Sequence, residues 1–229
     1  LPRIRDIVTA EEKLEQTIYS INGLECGKIT IGTYSSVAIH LLPRILSNFR
    51  KMHPDIDIYV REGGADNIVE WMSEKSVDFA FLSQIYVKGT EFIPFGEDPL
   101  LAVLPLDYKL QAGQEKFDIR KFEGQDFIIS AIGNDFDVHH ALEESDVHPR
   151  FRYSVLDDHS ILSMVENHLG ISILSRLIVT GYEERVKLLP LNPGSARELG
   201  IGFHAYEELS PAARTFVDYA RNNLRISYD

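Results

Sequence analysis

Four times along this chain a strand pattern passes into a helix pattern and back into a strand, and that alternation restricts the fold more than any other feature. Lys28-Ile29-Thr30-Ile31-Gly32 alternates with period two. From Val37 to Met52, apolar residues fall at Ala38, Leu42, Ile45, Phe49 and Met52, the three-and-four spacing of a core-facing helix. Pro43 lies inside that stretch and should kink it or mark the start of its main part. Ile56-Asp57-Ile58-Tyr59-Val60 reads as a second strand, Gly63-Gly64 as a turn, residues 67–74 as a short helix and residues 77–82 as a buried strand. Two crossovers in succession predict an α/β fold with a parallel, doubly wound sheet.

An apolar run bracketed by Pro99 and Pro105 follows, and then the pattern restarts. Strands are predicted at 127–130, 151–155 and 170–174, with helices over 137–144 and 158–168 between them. Further strands are expected near 186–189 and 199–205. Ser210-Pro211 should open a last helix, with Ser210 as N-cap and Pro211 at the first helical position. Phe216, Tyr219 and Ala220 are placed on its inner face. The simplest arrangement is two lobes: residues 25–101 with 203–229, and residues 102–202. A ligand would then sit beyond the carboxyl ends of the strands, in the cleft at the hinge between the lobes.

The first strand ends in Thr33-Tyr34-Ser35-Ser36, directly before a helix, where hydroxyls and open backbone N–H groups suit an anion. Ser35 or Ser36 would equally serve as a helix cap, and the two roles are compatible. The third strand ends in Ser83-Gln84. Ser130-Ala131-Ile132-Gly133 takes the matching position in the second lobe, and Gly133 would permit close backbone approach.

Catalytic patterns are poor. There is no G-x-S-x-G elbow, and Gly23 to Gly27-Lys28 falls one residue short of a phosphate loop. His139 and His140 are adjacent and point about 100° apart on a helix, which does not suit one metal ion. The single cysteine, Cys26, excludes an internal disulfide and any multi-cysteine metal site. No apolar run approaches the ~18 residues of a membrane helix, and no secretory signal is visible. A cytoplasmic protein without cofactor is expected. Lys and Arg number 23 against 35 Asp and Glu, a formal charge of −12, so the body does not attract a phosphate backbone.

Residues 1–24 form a separate arm. Thr9-Ala10-Glu11-Glu12 has capping-box spacing, Leu14, Ile18 and Ile21 form a narrow helical stripe, and Asn22-Gly23 supplies a stop. The arm is either a helix packed on its own domain or a connecting helix that dimerises. The chain starts at Leu1 rather than Met, so an upstream part is expected.

The order of motifs resembles a known family. Gly27-Lys28-Ile29-Thr30-Ile31-Gly32, Leu42-Pro43, Phe49, His53-Pro54-Asp55-Ile56, Arg61-Glu62-Gly63 and Val77-Asp78-Phe79-Ala80 are similar to the effector-binding domain of LysR-type transcriptional regulators. Val165 to Leu174 resembles the family's V-x-x-G-x-G-I-x-x-L-P, with His168 in place of the first glycine and Ser175 in place of the proline. The resemblance implies a two-subdomain, periplasmic-binding-protein-like (type 2) fold with a small-molecule effector in the cleft. It also implies a homodimer or homotetramer, a linker-helix role for residues 1–24, and DNA contact only through an N-terminal winged helix-turn-helix ahead of this chain. Family contacts carried over by position fall on Ser35, Ser36 and Ser83, and near Ser130. The candidate effector-binding set is Thr33, Tyr34, Ser35, Ser36, Ser83, Gln84, Ser130, Ile132, Gly133 and Phe203, favouring an anionic effector. A transporter's solute-binding protein is the competing reading of the same fold; an enzyme would need a nucleophile or acid/base set that the sequence does not supply.

Overall fold

The structure is a computed structural model that describes residues 10, 11, 14, 18, 26–87, 89–131, 136–226 and 228. In chain order its elements are β1 (Gly27–Thr33), α1 (Ser35–His40), α2 (Leu42–Met52), β2 (Ile56–Glu62), α3 (Ala65–Ser73), β3 (Phe79–Ser83), β4 (Glu91–Pro105), β5 (Phe117–Asp118), β6 (Asp126–Ser130), α4 (Phe136–Glu144), β7 (Arg150–Val155), α5 (Asp158–Glu166), β8 (Ser172–Ser175), α6 (Arg176–Val179), β9 (Val186–Asn192), β10 (Ala196–Phe203) and α7 (Pro211–Asn223). They fall into two compact units, Leu1–Gly96 with Glu198–Asp229, and Glu97–Arg197. β4 and β10 each run from one unit into the other.

In the first unit β1 pairs in parallel with β2 on one side and β3 on the other. β10 adds antiparallel to β3, with Leu199 opposite Ser83 and Gly202 opposite Ala80. The parallel crossovers follow the predicted pattern; the antiparallel return does not announce itself locally. Gly32 lets β1 and β3 approach, since a Cβ there would lie 3.2 Å from Ala80 Cβ. Asp78 Oδ2 accepts the Thr30 N–H at 2.7 Å, which ties the entry of β3 to β1. Phe49 of α2, Phe79 of β3 and Phe216 of α7 form the aromatic centre of this core, with ring centroids 4.8 and 5.3 Å from Phe216. Pro43 marks a true break: α1 ends at His40, and α2 begins with Pro43 in its first turn, where a missing N–H is harmless. Ser210 caps α7 by accepting the Ala213 N–H, as its sequence position predicts.

In the second unit β4 pairs antiparallel with both β8 and β9, and β5 pairs parallel with β9. β6 and β7 are parallel, and Ile171 exchanges backbone bonds with β6 through Asp126 and Ile128. Alternate residues serve two cores. Phe127, Ile129 and Ile173 pack with α4 residues Val138, Ala141 and Leu142. Ile128 and Leu174 pack with α5 residues Ile161, Leu162 and Val165. β4 is longer than the Pro99–Pro105 run suggests, because a proline is tolerated in a strand wherever its N–H is not needed.

In the arm, Ala10, Glu11, Leu14 and Ile18 are helical and exposed, Leu14 by 61% and Ile18 by 50%. The capping pair Thr9 and Glu12, Ile21 and the Asn22-Gly23 stop lie outside the described residues.

Candidate functional site

The carboxyl ends of β1, β2 and β3 meet at one edge of the first unit. Thr33 stands opposite Glu62 in the ladder, and its carbonyl accepts the Gly63 N–H at 3.1 Å. Thr33 Oγ1 donates to the Tyr34 carbonyl at 3.2 Å. Tyr34 Oη accepts the Ser83 N–H at 3.4 Å, joining the first and third strand ends. Thr33, Ser36 and Ser83 are buried, at 0%, 4% and 1% exposure. Ser35 donates to Glu62 Oε1 at 2.5 Å. Neither serine is the helix cap: the N-cap of α1 is Tyr34, and no side chain caps it. α1 has only six residues. Gln84 is exposed in the short 3₁₀ turn after β3.

Phe203 does not join this edge. The antiparallel register of β10 carries Phe203 past the Gly202–Ala80 pair, to the end of the sheet away from Ser83. Its ring packs against Tyr206, with centroids 6.3 Å apart.

Beside the serine edge, Arg61 caps the Trp71 ring, its guanidinium carbon 4.1 Å from the ring centroid, and donates to Ser76 Oγ at 2.9 Å. Gly63 is required there: a Cβ would lie 2.6 Å from the indole.

In the second unit Ser130, at the carboxyl end of β6, is buried and hydrogen-bonded to the Asp158 carboxyl in the first turn of α5. Burial pushes the Asp158 carboxyl above the usual carboxylate range; the neighbouring Arg197 charge pulls the other way. Asp157 caps α5 by accepting the His159 and Ser160 N–H groups. Arg197 donates through Nε and Nη2 to Asp98 Oδ2 at 2.9 and 2.8 Å. Asp98 Oδ1 accepts the Leu177 N–H at 3.0 Å, so it serves the start of α6 in place of a local cap. Ile132 and Gly133 lie outside the described residues.

Glu62, Asp158, Asp98 and Arg197 escaped the sequence reading. Glu62 lies in the Arg61-Glu62-Gly63 motif, and Asp157-Asp158 precedes a helix, so both left a local signal. The pairing of residues 98 and 197 left none. Among the described residues no group of three or more His, Cys, Asp or Glu could hold a metal ion. No described helix is long and apolar enough to cross a membrane.

The site is thus set in two α/β units joined by two strands, with hydroxyl-bearing strand ends in each. Comparison with solved structures gives the fold. The regulatory domain of CcmR from Synechocystis PCC6803, in complex with 2-PG, matches with a TM-score of 0.77 at 21% identity, over 85% of this chain and 96% of that one. The effector-binding domain of QuiR, in complex with shikimate, matches with a TM-score of 0.77 at 23% identity, over 86% and 96%. The fold is the periplasmic-binding-protein-like type 2 fold.

Residues 22–225 match the LysR substrate binding domain, and the chain belongs to that family. An uncharacterized HTH-type transcriptional regulator of Bacillus subtilis, YvbU, is 26% identical over 96% of this chain and 76% of its own length. The transcriptional activator CmpR of Synechocystis is 24% identical over 94% and 72%.

Proposed function

We propose that this domain is the sensor of a LysR-type transcriptional regulator, with residues 1–24 as linker helix and residues 25–101 with 203–229 and 102–202 as the two subdomains. A small-molecule effector contacts Thr33, Tyr34, Ser35, Ser36, Ser83 and Gln84 from one subdomain and Ser130, Ile132 and Gly133 from the other. One observation carries the reading: Ser36 and Ser83 bring buried hydroxyls to one strand edge of a receptor fold, where they suit hydrogen bonding to an effector carboxylate, sulfate or phosphate. The domain does not catalyse; it works in the cytoplasm as a homodimer or homotetramer. DNA is held by a helix-turn-helix domain on the amino-terminal side, because a body of charge −12 does not track phosphates. An effector shifts the conformational equilibrium by its differential affinity for the two states.

The test is a thermal-shift screen of metabolites followed by calorimetry on the hit. Ser36→Ala and Ser83→Ala should each weaken it, by ~0.5–1.5 kcal/mol for a neutral contact or ~1.5–3 kcal/mol for a charged one, with little loss of folding. Unchanged affinity in both variants would move the site elsewhere.

A further inference from the structure

A cavity of about 460 Å³ opens in the first unit between the start of β4, the end of β10 and α7. It lies where Phe203 lies, at the end of the sheet away from Ser83, so it belongs to neither strand edge described above. Phe92, Ile93 and Pro94 supply its accessible apolar lining, and Glu91, Asp218 and Arg221 border it. Gly200 makes room for that lining, because a Cβ there would fall 2.3 Å from the Phe92 ring.

The bordering charges are unequally engaged. Tyr206 Oη donates to Asp218 Oδ2 at 2.6 Å, and the Tyr206 N–H donates to Glu91 Oε1 at 3.4 Å. Each carboxylate offers about four lone-pair sites, so both can accept more donors. The Arg221 guanidinium has no hydrogen-bond or ion-pair partner among the described residues, though its charge reaches the neighbouring Tyr206.

We propose that this cavity is a second small-molecule site, and that it takes a zwitterionic α-amino acid with a large apolar side chain. The ligand ammonium pairs with Glu91 and Asp218, its carboxylate pairs with Arg221, and its side chain lies on Phe92, Ile93 and Pro94. Charge complementarity selects this class. A plain carboxylate would meet two like charges beside one guanidinium. A plain amine would leave Arg221 unmatched, and a hydrocarbon would leave all three charges unmatched. Arginine suits the carboxylate end, since its planar fork binds carboxylates through two parallel bonds. The site is independent of the effector edge. It touches β4 and β10, the two strands that continue into the second unit.

The test is an amide NMR titration of the chain with three probes that share one ring: L-phenylalanine, phenethylamine without the carboxylate, and hydrocinnamate without the amine. Phenylalanine should saturate and shift amides around Phe92 and Phe203, with each analogue at least about tenfold weaker. Arg221→Gln should reduce phenylalanine to the level of phenethylamine. Glu91→Gln with Asp218→Asn should reduce it to the level of hydrocinnamate. Ser36→Ala and Ser83→Ala should leave phenylalanine binding unchanged. The proposal falls if phenylalanine does not saturate up to about 10 mM, well above the ~1 mM expected of a weak −4 kcal/mol site. It also falls if hydrocinnamate or phenethylamine binds as well as phenylalanine, if Arg221→Gln has no effect, or if the serine variants abolish binding.

Discussion

Replacing Asp98 with alanine should be among the most damaging single changes in the second unit. The carboxylate is fully buried, at 0% exposure, and the Arg197 side chain is 10% exposed. One oxygen takes two guanidinium donors and the other takes the Leu177 amide, at 2.8 to 3.0 Å. Removing the acid leaves a guanidinium in a desolvated place and orphans the amide that starts α6. Breaking one side of such a pair costs about 3–5 kcal/mol, most of it the penalty of the stranded charge. The pair itself is worth less, because desolvation offsets much of its attraction. Asp98→Ala with Arg197→Met should therefore cost much less than the sum of the single changes, with a coupling of about 2 kcal/mol or more. Asp98→Asn keeps an acceptor for Leu177 and should fall between alanine and the native residue. Urea unfolding followed by far-ultraviolet circular dichroism supplies all four free energies. A loss below about 1 kcal/mol for Asp98→Ala, or single changes that simply add, would refute the reasoning.

Three further outcomes follow from particular side chains. Among the described residues Ser175 Oγ is buried without a hydrogen-bond partner, so Ser175→Ala should stabilise the chain by about 1 kcal/mol in the same denaturation assay. His168 holds φ at +62° where the family pattern has glycine; His168→Gly should recover about 1 kcal/mol of backbone strain in urea unfolding. Its ring hydrogen bond holds the Asp107 carboxyl below the usual range, so that contribution to stability is lost as pH falls through the folded value, and the glycine variant should not show this loss. Asp158 is shifted upward, so its folded form holds the proton more tightly than the unfolded chain. Stability should therefore decline as pH rises from 3.8 through the folded value, and Asp158→Asn should raise the melting temperature at neutral pH and remove that slope.

Much of the fold was readable because its signals are local. The period-two run at 28–32 gave β1, Pro43 marked the α1–α2 break, and Ser210-Pro211 opened α7 as their chemistry dictates. The strand-end hydroxyls were readable for the same reason, since a strand followed by a helix shows where its carboxyl end lies. The sequence alone places Phe203 with Ser83, because the direction of β10 is decided by pairing with a strand more than a hundred residues earlier and nothing near residue 203 encodes it. The same distance hides Asp98 and Arg197. Each looks like an ordinary surface charge until two strands bring them together, and only burial shows what they hold.

The Trp71 indole, packed under Arg61 and against Gly63, also gives the molecule a built-in optical label. It is the chain's single tryptophan, on the α3 face behind the edge where Thr33 bonds Gly63. Excited at its red edge, where tyrosine does not absorb, the protein emits from this one place. A ligand that disturbs the Thr33–Gly63 corner changes the colour or brightness of that emission. Emission therefore reports directly on the strand-end corner of the first unit, with no label added.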